Sequence, residues 1–199
     1  MTDLVTDGTT TFVAQNSVVA AIPAKGCQQS TCPPSWSTSA FFSGHLTVTH
    51  GMLFGVSING DLAAVSASGC GANVCQPVWT APLGGAGAAL AATGAYIYVT
   101  NGTTLSVFST DGCGAATCTP LWTSTASGTL SAPSLVNDLV LAGDAAGNVV
   151  TWNQGGCGAA TCSPIASLPQ GGAVGVVTPI DHALVFTVGG ALRKLVLPS

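Results

Sequence analysis

The chain has 199 residues, seven acidic and three basic, for a net charge of −4. The basic residues are Lys25, Arg193 and Lys194, too few to neutralise a phosphate backbone or to hold an anionic membrane surface, so no nucleic acid is expected as a partner. The most apolar region, 84–99, is broken by Gly84, Gly85, Gly87 and Gly94 and falls short of the roughly 18 apolar residues that span a bilayer, so no membrane insertion is expected.

All seven acids are Asp, Glu is absent, and Thr, Ser, Val, Gly and Ala dominate. That balance disfavours exposed helices and favours strands joined by tight turns. In chain order, a turn at Asp7-Gly8 precedes a β-rich run at Thr11–Ala14, then Val19, Cys27, Cys32, Pro33 and Trp36. The second copy reads Leu46–Thr49, a turn at His50-Gly51, Leu53–Val56, Asn59-Gly60, Leu62, Cys70, Cys75, Pro77 and Trp79. The third reads Thr93-Gly94, Tyr96–Thr100, Asn101-Gly102, Leu105, Cys113, Cys118, Pro120 and Trp122. The fourth runs Ser134–Val136, Asn137-Asp138, Leu139–Ala142, Val149, Cys157, Cys162 and Pro164, with Ala166 where the others have Trp. A fifth, Leu184–Val188, Gly189-Gly190 and Leu192, ends before any cysteine pair.

The first cysteines stand 43, 43 and 44 residues apart, each preceded by Gly: Gly26, Gly69, Gly112 and Gly156. One period reads strand, turn, strand, turn, strand, C-x4-C hairpin and a Trp-bearing strand, which is the size of one propeller blade. The expected fold is therefore all-β, a propeller of about five four-stranded antiparallel blades forming a single domain over 1–199. The predicted blades are approximately 1–42, 43–85, 86–128, 129–171 and 172–199, the last with three strands. The repeated position of Trp36, Trp79 and Trp122 reads as packing between blades.

Zinc would need a second pair or a nearby His, and redox chemistry a C-x-x-C at a helix start. Neither is present. Disulfides across the hairpins, Cys27–Cys32, Cys70–Cys75, Cys113–Cys118 and Cys157–Cys162, are expected, each worth about 2 kcal/mol for so small a ring. Four regular local pairs point to oxidising surroundings, secreted or at the cell surface. Met1-Thr2-Asp3 offers neither the basic nor the apolar region of a signal peptide, so export implies a leader removed or outside this numbering.

The segment Tyr96-Ile-Tyr-Val-Thr-Asn-Gly-Thr-Thr-Leu-Ser-Val-Phe-Ser-Thr-Asp-Gly112, followed by Leu121-Trp122, resembles the blade hairpin of the PQQ-like β-propellers, the quinoprotein alcohol dehydrogenase-like family. Leu53 to Trp79 matches in the same way, and the resemblance covers essentially the whole chain. It implies the fold more than the function, because that family includes enzymes, assembly factors and surface proteins. Members close with more blades than the five or so that fit here. Two readings stay open: a small propeller with an unfinished last blade, or a piece of a longer array.

No catalytic site is expected. Asp7, Asp138 and Asp181 fall in one set of turns, Asp61 and Asp144 in the next, and Asp111 before a cysteine hairpin, all places where Asp forms turns through its own backbone. Asp3 alone lies near an inner strand, and one carboxylate does not make the acid pair of a glycosidase. His50 and His182 occupy equivalent turns, and His45 starts an inner strand. Asn101-Gly102-Thr103 fits a glycosylation acceptor but also the geometry of a hairpin turn. A quinone site of the resembling family would need a stacking Trp, a basic residue and acidic ligands to calcium. Lys25, Arg193 and Lys194 stand apart from any such set, so neither a cofactor nor a metal site is expected. The expected function is a non-enzymatic extracellular scaffold or binding module for protein or surface glycan. The alternatives are a piece of a larger quinoprotein-like enzyme and a repeat protein that self-associates through its unfinished last blade.

Overall fold

The computed structural model describes residues 3–15, 18–38, 40, 42–85 and 87–196. The predicted outer limits at Met1 and Ser199 lie outside these. Among the described residues there are twenty strands: β1 (Asp3–Thr6), β2 (Thr10–Gln15), β3 (Val18–Pro23), β4 (Trp36–Thr38), β5 (Phe42–Thr49), β6 (Met52–Ser57), β7 (Asp61–Ser66), β8 (Val74–Cys75), β9 (Trp79–Pro82) and β10 (Ala89–Ala92). They continue as β11 (Tyr96–Asn101), β12 (Thr104–Ser109), β13 (Trp122–Thr125), β14 (Ser134–Val136), β15 (Leu139–Gly143), β16 (Asn148–Asn153), β17 (Ala166–Pro169), β18 (Thr178–Ile180), β19 (Ala183–Val188) and β20 (Ala191–Val196).

These form five sheets in sequence order: β1-β2-β3-β4 with β8 added at its edge, β5-β6-β7-β9, β10-β11-β12-β13, β14-β15-β16-β17 and the three-stranded β18-β19-β20. The sheets follow one another along the chain, and the first also takes up β8 from the second repeat. Within a blade the strands run antiparallel with tight turns, as in Asp3↔Ala14, Phe12↔Ala21 and Ala21↔Trp36. The turn at His50-Gly51 takes both residues to positive φ, 52° and 70°, which sets the right-handed twist of the hairpin it closes.

By contacts the chain divides into two compact units, one of Met1–Gly87, Ala92–Ala95 and Ser109–Thr119, the other of Ala88–Ala91, Tyr96–Phe108 and Pro120–Ser199. In the first unit, Phe12, Ala14, Val19, Ala21 and Trp36 of blade 1 pack on Leu53, Ala63 and Val65 of blade 2. In the second, Leu105, Val107 and Trp122 of blade 3 pack on Val140, Ala142, Val150 and Trp152 of blade 4. There too, Leu141 and Val149 of blade 4 pack on Leu184, Phe186 and the half-buried Leu195 of blade 5. The side of a blade that meets the following blade is its front, the other its rear. The period-2 alternation of each strand sends one set of side chains to each side, and interior blades bury both. That is why β6, β7, β15 and β16 are nearly continuous apolar runs.

Candidate functional site

The cysteine loops lie between the third and fourth strand of the first four blades. All eight cysteines are in disulfides, Cys27–Cys32, Cys70–Cys75, Cys113–Cys118 and Cys157–Cys162, each with Cα atoms 5.6 Å apart. Three of the loops also reach the preceding blade. Ser37 and Thr38 of β4 pair in parallel with Val74 and Cys75, Thr80 of β9 with Thr117, and Thr123 of β13 with Thr161. Thr123 N donates to Ala160 O at 2.9 Å, and Cys162 N returns a bond to Thr123 O at 2.8 Å. Each loop thus covers an edge strand that would otherwise offer unpaired backbone groups.

The repeated Trp completes the same contact. Trp36 lies over Gly69, Trp79 over Gly112 and Trp122 over Gly156, so close that a Cβ on the glycine would stand 2.7 or 2.8 Å from the indole Cδ1. These glycines also hold φ between +77° and +87°, so both shape and backbone demand Gly before the first Cys. In blade 4 the Trp position is Ala166, and blade 5 has no cysteine loop for a Trp to meet. The two losses belong together. The fourth tryptophan, Trp152, was given no role from sequence; its Nε1 donates to Ser124 Oγ at 2.7 Å inside the second unit.

Three of the acids fasten backbone and turn groups. Asp7 Oδ1 accepts from Thr9 N, Thr9 Oγ1 and Thr10 N, each at 2.8 Å, and the Thr10 amide above all holds its pKa below the ordinary Asp value. Asp3 Oδ2 accepts from Leu46 N at 2.6 Å, tying β1 to β5. His45 lies within β5 at φ 55°, in the irregular stretch between Phe42 and Leu46 that presents this amide. Asp144 is fully buried and grips Asn148: Oδ1 accepts from Asn148 N at 2.7 Å and both oxygens accept from Asn148 Nδ2. The Asp-x3-Asn spacing across a turn signals that grip but not the burial. Asp144 also lines a cavity of about 250 Å³ with Thr125, Ala126, Ser127, Val150, Pro164 and Ser167. Among the described residues no group of three His, Cys, Asp or Glu stands close enough to hold a metal ion, and no helix is long and apolar enough to cross a membrane.

The remaining feature is the front of blade 5. Counting back from the first Cys of each loop, Val19, Leu62, Leu105 and Val149 occupy one repeat position and are all 0% exposed. Leu192 occupies it in blade 5 and is 75% exposed, with Val196 at 68% and Ile180 also exposed beside it. The register places Ile180 opposite Ala183, Leu192 opposite Thr187, Lys194 opposite Val185 and Val196 opposite Ala183, so these side chains share one side of the sheet. Lys194 lines a shallow cavity of about 180 Å³ there with Asp181 and His182.

Consecutive antiparallel sheets, stacked front to rear within each unit, point to the architecture, and solved structures agree. The crystal structure of BamB from Moraxella catarrhalis superposes with a TM-score of 0.67 at 18% identity, over 96% of this chain and 55% of that one. The fold is a β-propeller. The computationally designed Ika8 protein matches with a TM-score of 0.68 at 13% identity, over 98% of this chain and 57% of that one. The designed Ika4 protein matches with a TM-score of 0.58 at 14% identity, over 81% of this chain and 97% of that one. The propeller therefore spans little more than half the length of BamB and Ika8. No protein-family model matches the chain, and a search of the curated proteins finds no match.

Proposed function

We propose that this propeller is a non-enzymatic scaffold of the secreted or cell-surface kind, and that it binds protein through the front of blade 5. The observation that carries the reading is Leu192, largely exposed at a position where four preceding blades bury their residue completely. Exposed apolar patches rimmed by polar groups mark interaction sites. The apolar character of Ile180, Val185, Leu192 and Val196 favours protein over glycan. A non-catalytic role is supported by the work of Asp3, Asp7 and Asp144, whose carboxylates fasten backbone and turn groups. An address outside the cytoplasm is supported by the four disulfides.

The test is a photo-cross-linking amino acid placed at Leu192, with one at exposed Ser68 as control. Discrete adducts from Leu192 alone are the expected result. Equal labelling at both positions, or none at Leu192, would refute the reading. Titration with pyrroloquinoline quinone and calcium should leave the visible spectrum of the quinone unshifted; a saturable shift would favour a quinoprotein role instead.

A further inference from the structure

The three stacking contacts within the units use one rule, front of one blade against rear of the next, and among the described residues one sheet face of each kind is left exposed. The unmatched front is that of blade 5. The unmatched rear is that of blade 1, where exposed Leu4 and Val18 join the half-buried Val13, Ala20 and Ile22 on one side of the sheet. Interior blades bury the corresponding rear residues, Ala63 and Val65 in blade 2, almost completely.

Lys194 narrows the choice of partner. The equivalent residues in the preceding blades are Ala21, Ala64, Val107 and Thr151, all buried. A purely apolar neighbour on the blade 5 front would strand the Lys194 ammonium, which has no ion pair among the described residues. Burying an unpaired charge costs several kcal/mol, so the right neighbour brings a carboxylate to the Asp181–His182 end of the face. The repeat itself shows which part of a following blade arrives there. Thr49 Oγ1 in the first turn of blade 2 donates to Thr93 O in the first turn of blade 3 at 3.2 Å, so these turns sit side by side. In blade 1 the equivalent turn is Asp7-Gly8. Asp7 is exposed, and its three hydrogen bonds all fall on Oδ1, leaving Oδ2 available.

Resting on the reading that the blade 5 front binds protein, we propose that its partner is a second copy of this chain, stacked head to tail, the rear of blade 1 in one copy against the front of blade 5 in the other, with Asp7 meeting Lys194. Such a contact is heterologous, so each copy still offers one free face and association can continue beyond a dimer.

Sedimentation equilibrium of the oxidised full chain, from micromolar to millimolar, reads the proposal. The expected result is a mass that climbs past that of one chain with concentration. Leu192→Lys, at a side chain already in solvent and therefore harmless to the fold, should return the monomer. Lys194→Asp and Asp7→Lys should each weaken association by about tenfold or more, as reversal of a close interfacial charge does. An equimolar mixture of the two variants should regain it, because the Lys194→Asp front then meets the Asp7→Lys rear. A chain that stays monomeric throughout, an unchanged mass for Leu192→Lys, or a mixture no stronger than either variant alone would overturn the proposal. Discrete adducts to a different protein from the Leu192 cross-linker, with the chain itself monomeric, would overturn it and leave the scaffold reading standing.

Discussion

Adding one methyl group at Gly112 isolates the contact that joins one blade to the next. The Cβ of Gly112→Ala would lie 2.7 Å from Trp79 Cδ1 and 2.8 Å from its Nε1, and the residue is held at φ +77°. Gly114, two residues on, has φ +76° with nothing within 4 Å of its Cβ position. Gly114→Ala therefore carries only the cost of a left-handed alanine, about 1–2 kcal/mol, and Gly112→Ala carries that plus the overpacking, about 1–3 kcal/mol more. At about 3 °C per kcal/mol for a chain of this size, the two variants should differ in Tm by roughly 3–9 °C. All three residues belong to the same compact unit, so one thermal transition, followed by near-ultraviolet circular dichroism with disulfides intact, reports on both variants. Trp79→Ala in the Gly112→Ala background should remove most of the excess penalty, giving a coupling of 1 kcal/mol or more in the double-mutant cycle, about the range for groups in contact. Equal Tm values for the two glycine variants would refute the clamp.

Ser124→Ala should cost about 1–3 kcal/mol, because it leaves the buried Trp152 Nε1 without its acceptor; urea unfolding reads this directly. Replacing Cys113 and Cys118 together by Ser should cost about 2 kcal/mol in the same assay and loosen the loop that covers β9, seen as faster amide exchange at Thr80. Asp144→Ala should be worse than either exposed Asp138→Ala or Asp181→Ala, since it strips three hydrogen bonds from a buried turn. Asp7 has a folded pKa below its unfolded value, so its contribution to stability is present above the unfolded pKa and is lost as pH falls through the folded one. Stability curves of the wild type and Asp7→Asn should therefore run parallel at neutral pH and converge only in acid below the ordinary Asp range.

The architecture was legible because a blade cannot bury its faces alone and so repeats its apolar positions, turns and hairpin cysteines on one ruler. Leu62 and Leu105 keep their spacing to Cys70 and Cys113 for that reason, and the incomplete fifth blade showed in the same count. The Trp position could be read as inter-blade packing, but its partner could not: that Trp79 rests on Gly112, 33 residues later, depends on the loop of one blade folding back over the edge of another. Asp144 was read as a turn residue and its burial was missed, because burial there comes from blade stacking and the Asp-x3-Asn spacing to Asn148 marks only the turn. The exposed face of blade 5 was the hardest to see. Leu192 and Val149 are the same kind of residue in the same register, and only the presence or absence of a neighbouring sheet separates 75% exposure from none.

Hydroxyl-radical footprinting of the dilute, oxidised chain tests the open blade face most directly, by comparing one repeat position across all five blades. Leu192 should be oxidised readily while Leu62, Leu105, Val19 and Val149 remain protected. Protection of Leu192 equal to that of its four counterparts would mean that the last blade has no open front, and the account of binding built on it would fall.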